Sequence, residues 1–167
     1  MQTHFLFDVL EGYQPFEQIA EESRRDGAVI AASGLAGAQK AHLACALAAK
    51  TGRPLVFLCD SERSAAQTME DVSALMGGGV SLFPAREITF YQDVAASRDV
   101  AYRRIEAMRK LVSGEVRAIV APVDAMLHRV MPRAVFSANT ISLRVGDVLP
   151  TDQLIERLLA AGYTREY

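Results

Sequence analysis

Apolar residues in this chain fall into short uninterrupted runs separated by stretches of helical spacing. The runs are residues 28–33 (AVIAAS), 55–59 (LVFLC), 80–83 (VSLF) and 117–121 (RAIVA). Runs of this length, bounded by Gly, Pro or charged residues, predict strands covered on both faces. Between them lie helical patterns. Residues 15–25 carry Phe16, Ile19 and Ala20 on one side, and the alanine-rich 41–50 is stopped by Gly52 and Pro54. Ser61 stands where an N-cap belongs, and Gly77 to Gly79 close the helix that it opens. Residues 99–112 place Ala101, Ile105, Met108 and Val112 on one face, with Arg103, Arg104, Glu106 and Lys110 around the rest. Gly114 ends this helix, and Pro122 leads from the fourth run into a short helix through His128. Residues 85–98 show no period and predict a long surface loop. The alternation of run and helix implies βαβ units and a mainly parallel sheet flanked by helices.

The pattern changes after Val130. Residues 132–138 predict a short helix, and 140–145 (TISLRV) alternate as a half-exposed strand does. Gly146-Asp147 makes a turn. Thr151 is placed to cap a helix directing Leu154, Ile155, Leu158 and Leu159 inward, with Gly162 at its C′ position. The expected organisation is an α/β domain over 1–130 and the beginning of a small α+β domain over 131–167. One strand cannot complete a sheet, so the chain is expected to end inside that second domain.

Composition narrows the function classes. The 167 residues are 50% apolar and 23% charged, with a formal net charge of −2. This gives no global electrostatic case for binding nucleic acid or an anionic membrane. Cys45 and Cys59 sit in apolar surroundings and read as small buried hydrophobes. His4, His42 and His128 are scattered, with no ligand spacing to either cysteine, so no zinc site is expected. The N-terminus lacks the basic-then-apolar order of a signal peptide, and no run approaches the ~20 apolar residues of a membrane span. A cytoplasmic protein with no membrane partner is expected.

The chemistry-bearing candidate is the glycine-punctuated turn over 33–41. A Walker A loop reads G-x-x-x-x-G-K-[ST] between a strand and a helix; its backbone N–H groups wrap phosphates, its Lys reaches them and its hydroxyl holds Mg²⁺. Gly34 fills the first glycine position and Lys40 the lysine position, with Gly37 inside the variable stretch. Gln39 replaces the second glycine, adding a side chain where backbone must approach phosphate. Ala41 replaces the Ser/Thr and offers Mg²⁺ no oxygen. No strand ends in an Asp-Glu pair. The fold expectation is therefore P-loop NTPase-like, of the RecA/helicase type, with a degenerate phosphate loop, a solvated Lys40 and neither catalytic residues nor a metal site.

These features resemble the N-terminal, UvrB-like module of the bacterial transcription-repair coupling factor family (Mfd). The resemblance covers the degenerate loop at 33–40, the stretch from Phe83-Pro84 into Phe90-Tyr91, residues 97–111 (SRDVAYRRIEAMRKL) and 119–126 (IVAPVDAM). Most distinctive is 142–163, where SLRVGD is followed by LIERLLAAGY. UvrB carries a similar segment together with an intact Walker A. The resemblance implies a non-enzymatic segment that recruits UvrA through the small domain, and that packs on other domains of the full-length protein to repress it. It also implies that ATP and Mg²⁺ act elsewhere in the full-length protein, through which alone DNA and RNA polymerase are engaged. The positions matching the UvrA-binding arginines are Arg144, Arg157 and Arg165; Glu156 departs from the pattern, standing where UvrB has another arginine. Arginine suits such a contact through its bidentate fork, although each of the three also reads as an ordinary solvated residue. The alternative function is a nucleotide- or DNA-binding P-loop domain of a helicase-like protein. Its DNA contacts would come from Arg98, Arg103, Arg104, Arg109 and Lys110, diluted by Asp99 and Glu106.

Overall fold

The computed structural model describes residues 5–86 and 98–165. The chain divides into two compact units, meeting at His128 and Arg129. The first is an α/β unit. Its elements are α1 (Phe5–Asp8), α2 (Gln14–Glu22), α3 (Gly37–Thr51), β1 (Leu55–Cys59), α4 (Glu62–Met76), β2 (Val80–Leu82), α5 (Arg98–Ser113), β3 (Ala118–Pro122) and α6 (Val123–Met126). The three strands form one sheet in the order β1-β3-β2, and both pairings are parallel.

Apolar side chains on both sides of β3 explain its central place: all five of its residues are buried. Leu55 and Phe57 of β1, Val80 and Leu82 of β2, and Ala118 and Val120 of β3 share one face. There they pack with Ala41 and Cys45 of α3 and Ala65 and Val72 of α4. On the opposite face Ile119 and Ala121 pack with Phe83, Ala107, Val116 and Ala125. Each large side chain buried in this way contributes about 1.5–3 kcal/mol. Helix ends follow the chain's own signals. Ser61 caps α4 by accepting from the Ser64 N–H at 3.2 Å, and α3 and α4 stop at Gly52 and Gly77, both at positive φ.

Two expectations for this unit are corrected. Residues 28–33 are not a buried strand: they run outside the sheet and are exposed, Val29 to 97%. Among the described residues no strand takes the free edge of β1, so the parallel sheet has three strands. The buried face of α5 also differs from the expected one. Arg104 and Ala107 point inward, while Ile105 is 51% exposed, because Arg104 finds oxygen partners and an aromatic face inside. The loop expected over 85–98 lies mostly outside the described residues.

The second unit holds α7 (Arg133–Ala138) and α8 (Thr151–Ala160). The strand expected over 140–145 is absent. Those residues form no ladder, since a strand needs a partner and none exists among the described residues of this unit. Thr151 is the first helical residue, with Pro150 at the N-cap and no side-chain cap bond. At the other end the expectation is met: Gly162 has φ +91°. Its N–H donates to the Leu159 carbonyl and that of Tyr163 to the Leu158 carbonyl, a Schellman closure.

Candidate functional site

In the turn that enters α3 one backbone donor is closed by the loop's own side chain. Gly34 takes φ +79°, which lets the chain reverse, and Gly37 opens the helix. Gln39 turns its side chain back, so that its Oε1 accepts the Ala36 N–H at 2.9 Å. This is the reciprocal half of a capping box. The Ala36 N–H is thus taken by the protein itself. Ala41 is 1% exposed and packs in the core with Cys45, Ala65 and Val72. Lys40 is exposed.

Across from this loop, past the C-terminal end of β1, lies the start of α4. A cleft of about 680 Å³ opens between them, lined by Gly37, Lys40, Asp60, Arg63, Thr68 and Asp71 among others. Here too the helix N-terminus is satisfied internally. Ser61 and Ser64 exchange backbone and hydroxyl bonds at 3.2 Å, and both hydroxyls donate to the Asp60 carboxylate. Those bonds, Ser64's foremost, hold the Asp60 carboxyl below its ordinary pKa. A carboxylate therefore occupies the favourable end of the helix dipole. With Lys40, Arg63, Asp60 and Asp71 in its lining, the cleft carries both signs of charge.

Sequence reasoning missed the Arg104 cluster. This guanidinium is 4% exposed and lies 4.0 Å from the centre of the Phe83 ring. Nη1 donates to the Pro84 carbonyl at 2.5 Å, and both terminal nitrogens stand 3.5 Å from the Ala125 carbonyl. Burial, and secondarily the charge of Arg86, lower its pKa from the usual guanidinium value. Glu62 adds a bond from its Oε1 to the Ala85 N–H at 2.8 Å. Together these ties fix the turn after β2 against α4, α5 and α6. The available signal was that Arg104 and Ala107 lie three apart on α5, beside the expected apolar stripe.

Three further basic residues of α5 are tied to carboxylates. Arg103 pairs with Asp99 at 2.7 Å and Lys110 with Glu106 at 3.5 Å. Arg109 bridges Glu106 and Glu115 at 2.8 and 2.5 Å. That network, through the Arg109 bond first, draws the Glu106 carboxyl down to about 2.

Arg144, Arg157 and Arg165 all belong to the second unit and are exposed. Arg144 lies in the turn before Gly146, where its N–H donates to Asp147 Oδ2 at 2.8 Å. Arg157 lies on α8. Among the described residues neither side chain joins an ion pair. Leu143, Val145, Val148, Leu159 and Tyr163 of the same unit are exposed apolar residues, Val145 fully so. The described residues contain no cluster of three or more metal-ligating side chains, and no described helix is long and apolar enough to cross a membrane.

No family model matches the chain. Individual relatives do. A transcription-repair-coupling factor of Myxococcus xanthus is 31% identical over 160 residues, 91% of this chain and 13% of that protein. That of Bacillus subtilis is 28% identical over 134 residues, 80% of this chain and 11% of the relative. The Escherichia coli protein of the same name is 22% identical over 77% of the chain. The chain thus spans little more than a tenth of the length of the curated relatives it matches. Four such matches, covering 65–91% of the chain, relate it to a segment of the transcription-repair-coupling factors.

Proposed function

We propose that this chain is a non-catalytic adaptor segment of a transcription-repair coupling factor, built on a P-loop-like unit whose phosphate loop no longer serves nucleotide. The observation that carries the reading is the internal closure of that loop. Gln39 occupies the Ala36 N–H and Ala41 faces the core, so a bound phosphate would have to displace a capping bond and would find no hydroxyl to hold Mg²⁺. ATP and Mg²⁺ are used elsewhere in the full-length protein, and DNA and RNA polymerase are engaged only through it.

The partner in this reading is UvrA, bound through the second unit during nucleotide excision repair, with contacts to other domains of the full-length protein contributing autoinhibition. Arg144, Arg157 and Arg165 are the anchors. Arginines beside exposed apolar side chains match the anatomy of interface hot spots, where a guanidinium fork meets carboxylates and apolar contacts exclude water.

Titration of UvrA against the chain, in parallel with Arg144→Glu and Arg157→Glu and with ATP as a separate ligand, tests the proposal. Saturable binding weakened about tenfold or more by each reversal, with no thermal stabilisation by ATP, is the expected result. Binding indifferent to both reversals removes the arginines from the surface. Stabilisation by Mg-ATP without UvrA binding overturns the adaptor reading in favour of a nucleotide domain.

A further inference from the structure

The turn ahead of α8 is closed twice between the same two residues. Residues 144–147 read Arg-Val-Gly-Asp, and Gly146 takes φ +99°, the positive value that the third position of a type II turn requires. The Asp147 N–H donates to the Arg144 carbonyl at 3.0 Å. In the reverse direction the Arg144 N–H donates to Asp147 Oδ2 at 2.8 Å. Backbone donor and acceptor of Arg144 are thus both held by Asp147. The turn owes its shape to these local bonds, since none of the described residues from 129 onward is buried.

The closure also decides what the turn presents. The Asp147 carboxylate is engaged by the Arg144 amide, which leaves the guanidinium for a different carboxylate. Val145 stands at the crown, fully exposed, with Leu143 and Val148 beside it at 57% and 94%. An apolar crown next to a guanidinium has the make-up of an interface anchor, in which apolar contact excludes water from around an ion pair. Because the turn is bonded shut within itself, little of its backbone has to be ordered on binding, and that ordering is one of the main costs of association.

We propose, resting on the reading that UvrA binds through the second unit, that the Arg144–Asp147 turn is a preformed anchor of that contact. Val145 enters an apolar pocket whose rim carries carboxylates for Arg144, and Asp147 is the positioning residue that sets both. Asp147 acts through the Arg144 amide, not through a contact with the partner. Its negative charge works against an acidic rim, so positioning and electrostatic attraction give opposite signs when the charge is removed. Asp147→Asn keeps an oxygen acceptor for the Arg144 amide, and Asp147→Ala removes it.

The test is titration of UvrA against the whole chain carrying Asp147→Ala, Asp147→Asn, Arg144→Ala or the Asp147→Ala/Arg144→Ala pair. Hydrogen exchange at the Val120 amide confirms that the first unit is folded in each. The expected result is binding weakened about fivefold or more by Asp147→Ala and held within about twofold of the parent by Asp147→Asn. The loss from Asp147→Ala should also shrink once Arg144 is already alanine. Parent-like binding by Asp147→Ala, while Arg144→Ala weakens it, overturns the positioning role and leaves the UvrA reading standing. Equal losses from the alanine and asparagine variants overturn it too, because the charge and not the amide bond would then be at work. So does a loss of the same size in both Arg144 backgrounds. Absence of saturable binding by the unaltered chain overturns the partner reading itself, and the anchor with it.

Discussion

Arg104 is held by the carbonyl oxygens of Pro84 and Ala125 and by the face of Phe83. Each of those groups is itself fixed in the fold, so the residue ties three elements while bringing a charge into a 4% exposed site. Truncation would remove the cation–π contact and leave carbonyls without their donor, and an unsatisfied buried polar group costs more than a typical bond contributes. Arg104→Ala is therefore expected to lower unfolding stability by about 2–4 kcal/mol. Arg104→Lys should recover part of the loss, since an ammonium reaches a carbonyl but lacks the planar fork. Urea denaturation with an unchanged m value reads both; an alanine variant within about 0.5 kcal/mol of the parent would show that the site repacks freely. At the same scale Gln39 and Ala41 differ in kind. The first caps the loop by accepting the Ala36 N–H, and the second is a core residue.

Among the elements, α5 decides between an adaptor and a DNA-binding reading. Its Arg103, Arg109 and Lys110 are neutralised by Asp99, Glu106 and Glu115, and Arg104 is buried. A helix with its charges paired has few left to release counterions from phosphate. Binding to a short duplex should thus be weak, with a log–log salt slope shallower than about −2. Fluorescence anisotropy across a salt series checks this, and a slope steeper than about −4 that Arg103→Ala relaxes would restore the DNA face. The same helix shows where sequence patterning is informative. Its existence was legible, but its inward face was not, because periodicity assigns an arginine to the outside and cannot see Phe83 waiting for it. β1 was legible to the residue because LVFLC is apolar on both faces, and Ser61, Gly52, Gly77 and Gly162 announced their caps by stereochemistry. The strands expected at 28–33 and 140–145 had the right local pattern. A strand, however, is completed by a ladder partner, which local sequence does not specify. At the turn into α3 the positions of Gly34, Gln39 and Ala41 were legible, whereas the Gln39 bond to Ala36 and the Ser61–Ser64–Asp60 closure depend on side-chain geometry that local pattern does not encode.

At the scale of the whole molecule, buried side chains are confined to the first unit; no described residue from 129 onward is buried. Cooperative unfolding accordingly reports on the sheet and its helices, while the second unit, without a dry core of its own, contributes little to the transition. Cys45 makes that transition pH-dependent in a defined window. Cys45 is 1% exposed on α3, within the cluster of Ala41, Cys59 and Val120. Burial pushes its thiol from an ordinary 9.0 up to about 11. Below pH 9 the thiol is protonated in both folded and unfolded chains and stability is unaffected. Between about pH 9 and 11 the unfolded chain releases the proton and the folded chain retains it, so the folded state loses ground as pH rises. Above the folded value the loss is complete, on the order of 2 kcal/mol. The diagnostic is the difference between the parent and Cys45→Ala. The two stability curves should run parallel below pH 9 and converge above it. Parallel curves throughout would mean that Cys45 meets solvent before the unit unfolds, and would place the weak point of the first unit at the packing of α3 on the sheet.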